Sequence, residues 1–314
     1  MLSRVAETIY WIGRYLERAE NTARIINVNG NLMLDLPRGI SLGWEPLIWI
    51  LGCDAEYLQK NEEFSERRVV NYLISDLDNP GSILVTLANA REGARTIREI
   101  LPGVAWEELN RLNQYAIDAR QLSHSRQGRQ EYLRNILAGL QQHVGLLAGT
   151  MNHDLAYNFL NLGRKLERAD MTSRIIHAVT LNPLSDEGPE LSPFADTIWM
   201  SMLESLGAYQ MYRQSMQPRI SRSQVLIFMF RKKEFPRSLA YSTENISYNL
   251  SALPNNARPI KVLRQIERLI MEAPTGEMDD DLLHAFVDEL QIRLGKLHDT
   301  IAKTYFPLAS AQAA

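Results

Sequence analysis

Two acid–arginine pairs stand out first: Glu17-Arg18 in GRYLERAENTARII, from Gly13 to Ile26, and Glu167-Arg168 in GRKLERADMTSRII, from Gly163 to Ile176. On a helix, at about 100° per residue, each stretch presents an apolar stripe. In the first copy it is Ile12, Leu16, Ala19, Ala23 and Ile26; in the second it is Leu162, Leu166, Ala169, Ser173 and Ile176. The polar residues kept in both copies flank that stripe: Arg14, Glu17, Arg18, Glu20 and Arg24 answer to Arg164, Glu167, Arg168, Asp170 and Arg174. A solvated face has no physical reason to keep residue types through a repeat, whereas interior ion pairs or a shared ligand supply one. Glu20–Arg24 and Asp170–Arg174 have the favourable i,i+4 order, acid first. Arg suits such a place because its planar fork can donate two parallel bonds to a carboxylate. Two readings of the cluster follow. One is a structural ion-pair network. The other is a cleft for a carboxylate, amine or phosphate, with Glu17 or Glu167 as a catalytic base.

A second constellation is Arg91, Arg95 and Arg98, whose i, i+4, i+7 spacing would set three guanidinium groups along one helix face. The aligned positions in the second half are Ser247, Ser251 and Pro254, so the stripe is written once. That favours an anion site or a docking surface for an acidic partner over a requirement of the repeat, with a solvated basic face as the alternative. A carboxylate-bridged metal centre is not expected. Glu17/Glu20 and Glu167/Asp170 lack the histidine of the Glu-x-x-His pattern, and Arg24 and Arg174 compete for the acids. The six histidines show no ligand spacing, and there is no P-loop, no GxGxxG after a strand, no GxSxG and no CxxC. No metal and no cofactor is implied. Trp44, Trp49, Tyr57, Trp199, Tyr209 and Tyr212 recur at helical spacing and read as core. Cys53, the single cysteine, reads as a small buried hydrophobe.

These residues require helices to carry them. Helical periodicity covers the chain without a convincing alternating strand. It predicts helices over 3–35, 42–60, 65–77, 80–101, 105–124 and 127–150, then 154–181, 193–216, 222–231, 236–253, 258–271 and 280–305. Pro37 and Gly39 are expected to stop the first, and Asp78 or Asn79 to cap the fourth. The segment 185–193 is expected as a surface connection and the tail 310–314 as frayed. The halves match in order beyond the opening motif: Trp44–Gly52 on Trp199–Gly207, Val69–Leu73 on Val225–Met229, and Pro80-Gly81-Ser82-Ile83 on Pro236-Arg237-Ser238-Leu239. Collinear matches argue for tandem duplication. The expected fold is therefore all-α, a bundle of two pseudo-two-fold-related six-helix repeats, 1–150 and 151–314, packed as one unit.

The 314 residues are 45% hydrophobic and 23% charged, with a formal net charge of −3, so the basic footprint of a nucleic-acid binder is missing. The N-terminus has no apolar core of a signal peptide, and no stretch approaches the roughly 18 apolar residues of a membrane span. A cytoplasmic protein, without membrane or nucleic-acid partners, is the expectation.

GRxLERA[ED]xT[AS]R opening a helical chain, together with NPGSI at 79–83 and ANAREGARTIRE at 88–99, resembles the alpha-E domain family, named for its Glu-Arg motif. Here that motif is Glu17-Arg18, echoed by Glu167-Arg168, and the resemblance spans essentially the whole chain. It implies association with a circularly permuted ATP-grasp ligase, and neighbourhood with transglutaminase-like peptidases and Ntn-hydrolase-type proteins. The function so implied is that of a helical partner subunit in amide-bond formation or peptide modification, binding the ligase or its substrate without catalysis of its own. The alternative is an enzyme acting on an amide or acyl group through the Glu/Arg cluster. A homo-oligomer is compatible with either.

Overall fold

Two long helices, α1 (Ser3–Asp35) and α8 (Leu155–Thr180), lie against each other at the centre of the fold. They do so because each buries its predicted stripe. Ile12, Leu16, Ala19, Ala23 and Ile26 are at most 2% exposed, and Leu162, Leu166, Ala169, Ser173 and Ile176 at most 1%. Each Leu or Ile so buried contributes roughly 1.5–3 kcal/mol. The small residues in between let the two backbones approach. At Gly13 an added Cβ would overlap the Leu160 carbonyl oxygen, and at Gly163 it would overlap that of Tyr10. The crossing is therefore built on two glycines facing opposite carbonyls.

The computed structural model describes residues 1–35, 43–180, 192–216 and 220–307. Among them every regular element is helical, as expected for an all-α chain. Between the central pair run α2 (Glu45–Leu51), α3 (Asp54–Leu58), α4 (Glu66–Ile74), α5 (Ile83–Thr96), α6 (Gly103–Asp118), a 3-10 turn (Arg120–His124) and α7 (Arg126–Thr150). After α8 come α9 (Ser192–Ser205), α10 (Tyr209–Ser215), α11 (Arg222–Arg231), α12 (Leu239–Ser251), α13 (Ala257–Glu272) and α14 (Asp280–Tyr305). Helices α5 and α7 pack on α1, while α12 and α14 pack on α8. The contacts also cross over: α2 rests on α8 and α9 on α1.

Several boundaries differ from the sequence expectation, each for a local reason. The helix expected over 42–60 breaks into α2 and α3 because Gly52 takes a left-handed φ of 63°. The one expected over 193–216 breaks into α9 and α10 at Gly207, also at φ 63°. Helix α5 is capped by Ser82, whose hydroxyl accepts from the Val85 N–H, and not by Asp78 or Asn79. Asn79 instead holds the preceding turn, donating to the Tyr72 carbonyl and accepting from the Gly81 N–H. Ser238 caps α12 in the same way, through Tyr241 N–H. Helix α1 ends at Asp35; the stops expected at Pro37 and Gly39 lie outside the described residues, as do most of 185–193 and the tail 310–314. No helix among the described residues is long and apolar enough to cross a membrane.

Trp44, Tyr57, Trp199 and Tyr212 are in the core, while Trp49 is 45% exposed and donates to Glu45.

Candidate functional site

The central helices bring the repeated acids and arginines together across their interface. Glu167, on α8, is 1% exposed and takes Arg14 Nε at 2.6 Å and Arg18 Nε and Nη2 at 2.6 and 3.2 Å, both from α1. Glu17, on α1, is likewise 1% exposed and takes Arg168 Nε and Nη2 at 2.7 and 2.6 Å from α8. Each helix thus offers its glutamate to the other helix's arginines, which no spacing within one copy could show. Glu20 accepts from Arg24 at 2.8 Å, and Asp170 from Arg174 at 2.9 Å, the intrahelical pairs read from the sequence.

Arg237 was not among the candidates read from the sequence, yet it completes the network. It stands just before α12, is buried, and donates to Glu17 at 3.3 Å, to Asn21 at 2.9 Å and to Glu20 at 2.5 Å. The signal that could have found it was the one mismatch in an otherwise matched turn, Arg237 standing where the first half has Gly81. Its presence has a cost for Arg164. The Glu17 oxygens already accept from Arg168 and Arg237, and Arg164 comes only to 3.7 Å. The matching pair on the other side, Arg14 and Glu167, closes to 2.6 Å.

The electrostatics follow from burial set against pairing. Burial alone would raise the Glu17 carboxyl, but Arg168, Arg237 and Arg164 overcome it and hold the group well below the usual carboxylate range. At Glu167 burial is overcome in the same direction by Arg14 and Arg18. Both oxygens of each carboxylate accept from guanidinium groups. Lys165, beside this network and 4.8 Å from the Tyr241 ring, goes the other way. Burial, with Arg168 and Arg164 close by, brings its ammonium down to about 7.

One side of the network opens into a pocket of about 240 Å³, walled by α1, the end of α2, α3, α4, α8 and the turn before α5. Arg18, Glu167, Asp170 and Arg174 reach it from the central pair, and Cys53 and Gly81 from the first half. The Cys53 thiol is pushed up to about 12, chiefly by burial, with Glu56 and Asp54 adding to the effect.

The basic stripe is shorter than its spacing predicts. Helix α5 ends at Thr96, so Arg98 lies in the turn beyond it and not on a common helix face. Arg91 donates to Asn110 at 2.6 Å, Arg95 pairs with Glu92 at 2.6 Å on the surface, and Arg91 and Arg98 both lie against the Trp106 ring.

A group that sequence spacing did not reveal is His177 of α8 with His284 and Asp288 of α14. His177 Nε2 is 2.5 Å from His284 Nδ1, and Asp288 is 3.3 Å from His284. Two imidazoles and a carboxylate are a donor set suited to a borderline divalent cation. The nearest pair is 107 residues apart in the chain, beyond the reach of motif reading.

An all-helical chain whose centre is a reciprocal Glu–Arg network is thus defined by fold and site together. It belongs to the Alpha-E family, described as a predicted alpha-helical domain with a conserved ER motif, which matches residues 1–306. Among curated proteins it is similar to the uncharacterized proteins Mb2597 of Mycobacterium bovis and Rv2567 of Mycobacterium tuberculosis, each 22% identical over 99% of this chain. The chain spans only 37% of the length of these relatives. No solved structure matches it.

Proposed function

We propose that this chain is a non-catalytic helical module of a cytoplasmic amide-bond-forming system, binding a circularly permuted ATP-grasp-type ligase or that ligase's peptide substrate. The observation that carries the reading is the state of the two glutamates. A general base needs an accessible lone pair and a pKa near the working pH. Glu17 and Glu167 have both oxygens engaged by guanidinium groups and are held strongly ionised. They serve as fasteners between α1 and α8. The reading is also supported by the mycobacterial relatives, in which the matched region is one part of a much longer chain.

The architecture we propose is two six-helix repeats, 1–150 and 151–314, related by a pseudo-two-fold through the crossing of α1 and α8. Its support is pairwise: Gly13 with Gly163, Gly52 with Gly207, Ser82 with Ser238, and Glu17 with Glu167 hold matching places and make matching contacts. The exposed guanidinium groups of Arg95 and Arg98, with Arg91 behind them, form the surface offered to the ligase. Transglutaminase-like and Ntn-hydrolase-type proteins are the further partners to be tried.

The test is to mix the purified chain with a circularly permuted ATP-grasp-type ligase of the same organism and follow co-elution and ligase turnover. Co-elution that weakens in Arg95→Glu and Arg98→Glu is expected. Separate elution with unchanged turnover would sink the reading.

A further inference from the structure

The pocket beside Glu167 and the site that Arg237 fills occupy matched places. Around Glu17 the walls are Arg168, Glu20 and Arg24 of the central pair, with Gly207 and Pro236-Arg237 closing from the second half. Around Glu167 the same places are taken by Arg18, Asp170 and Arg174, with Leu51-Gly52 and Pro80-Gly81. In the first site a guanidinium, that of Arg237, lies against the two acids. In the second, Gly81 supplies no side chain, and the space left measures about 240 Å³. At ~30 Å³ of liquid volume per water that is room for about eight waters, enough for a guanidinium and its stem.

The charges in the two places compensate. Carrying the register of Trp44–Gly52 onward, Glu56 at the mouth of the pocket answers to Met211. The filled site therefore has a guanidinium at this place and no acid answering to Glu56, while the open one has that acid and, beyond the wall residues Arg18 and Arg174, no cation where Arg237 would stand. Arg174 engages Asp170 through Oδ2, and no described residue donates to Oδ1. The positive walls do not exclude a cation, since Arg237 itself sits among Arg168 and Arg24. One difference remains: Met171 stands where Asn21 accepts from Arg237, so an occupant would find a thioether there and not an amide oxygen.

We propose that this pocket binds a guanidinium group from outside the chain, which takes the place Arg237 takes in the matched site and pairs with Asp170 and Glu56. The inference rests on the matched-halves reading given above, and not on the identity of any ligase partner.

The test titrates the full chain calorimetrically with Nα-acetyl-L-arginine methylamide and with its neutral citrulline analogue. The arginine compound is expected to bind saturably and at least about tenfold more tightly than citrulline, because the acids are left unpaired by the uncharged group. Gly81→Arg, which grows the Arg237 side chain into the pocket, should abolish binding. An added Cβ at Gly81 meets the Asn79 side-chain oxygen at 3.3 Å, so that oxygen, which accepts from the Gly81 N–H, must give by a few tenths of an ångström. Should that variant fail to fold, Glu56→Gln, an exposed position, should weaken binding about threefold or more. Free L-arginine binding as well as the capped form would mark a small-molecule source. Tighter binding of the capped form and of an arginine-centred peptide would mark an arginine of a polypeptide. Absence of saturable binding by any of these guanidinium compounds overturns the proposal. So does equal binding of citrulline, preference for N-acetyl-glutamate methylamide, or undiminished binding by a folded Gly81→Arg. None of these outcomes depends on co-elution with the ligase, so the two proposals fail separately.

Discussion

At the scale of single residues, Lys165 shows how the network reaches beyond its own ion pairs. The first copy has Tyr15 at this place; the second has a lysine, 9% exposed and set among arginines. Its folded pKa of about 7 lies below its ordinary 10.5. Between those values the unfolded chain binds a proton that the folded chain resists. The contribution of this group to stability is therefore fully present above pH 10.5 and is lost as the pH falls toward 7, levelling off below it. From pH 9 down to 7 this group should remove up to about 2–3 kcal/mol. Lys165→Met should flatten that part of the profile and be the more stable protein at pH 7. Thermal unfolding of both proteins across pH 7–9 checks this, and parallel profiles would contradict it.

At the scale of elements, the crossing of α1 and α8 depends on backbone meeting backbone at Gly13 and Gly163. Alanine at either position must push the helices apart, since the obstacle is a carbonyl oxygen and not a flexible side chain. Gly13→Ala and Gly163→Ala should each cost about 3 kcal/mol or more, measured by denaturant unfolding. A loss within about 0.5 kcal/mol, the range of a neutral surface substitution, would mean the crossing is not as close as described. The central helices were legible in the sequence because their stripes are long, periodic and written twice. So were the intrahelical pairs Glu20–Arg24 and Asp170–Arg174, which follow from i,i+4 spacing alone. The breaks at Gly52 and Gly207 were not foreseen, because a single glycine inside an apolar run is compatible with either a continuous helix or a left-handed cap. Arg98 was placed on α5 by extending a periodicity past Thr96, where the helix had already ended.

At the scale of the whole molecule, two stretches far apart in sequence are joined across one interface. The sequence set Glu17, Arg18, Glu167 and Arg168 at matched places on two helices. It did not show that each glutamate serves the opposite helix, because partner choice across an interface is set by packing geometry. Arg237 and the His177–His284–Asp288 group escaped notice for the same reason: their neighbours come from distant elements. The reciprocal network is the central claim, and Glu17 is its most connected member, paired with Arg168, Arg237 and Arg164. Equilibrium unfolding of Glu17→Gln tests it most directly, because the substitution keeps the shape and removes the charge that holds three guanidinium groups. The account predicts a loss of about 3–5 kcal/mol, the cost of stranding buried charges. A loss below about 1 kcal/mol would contradict the framework described here.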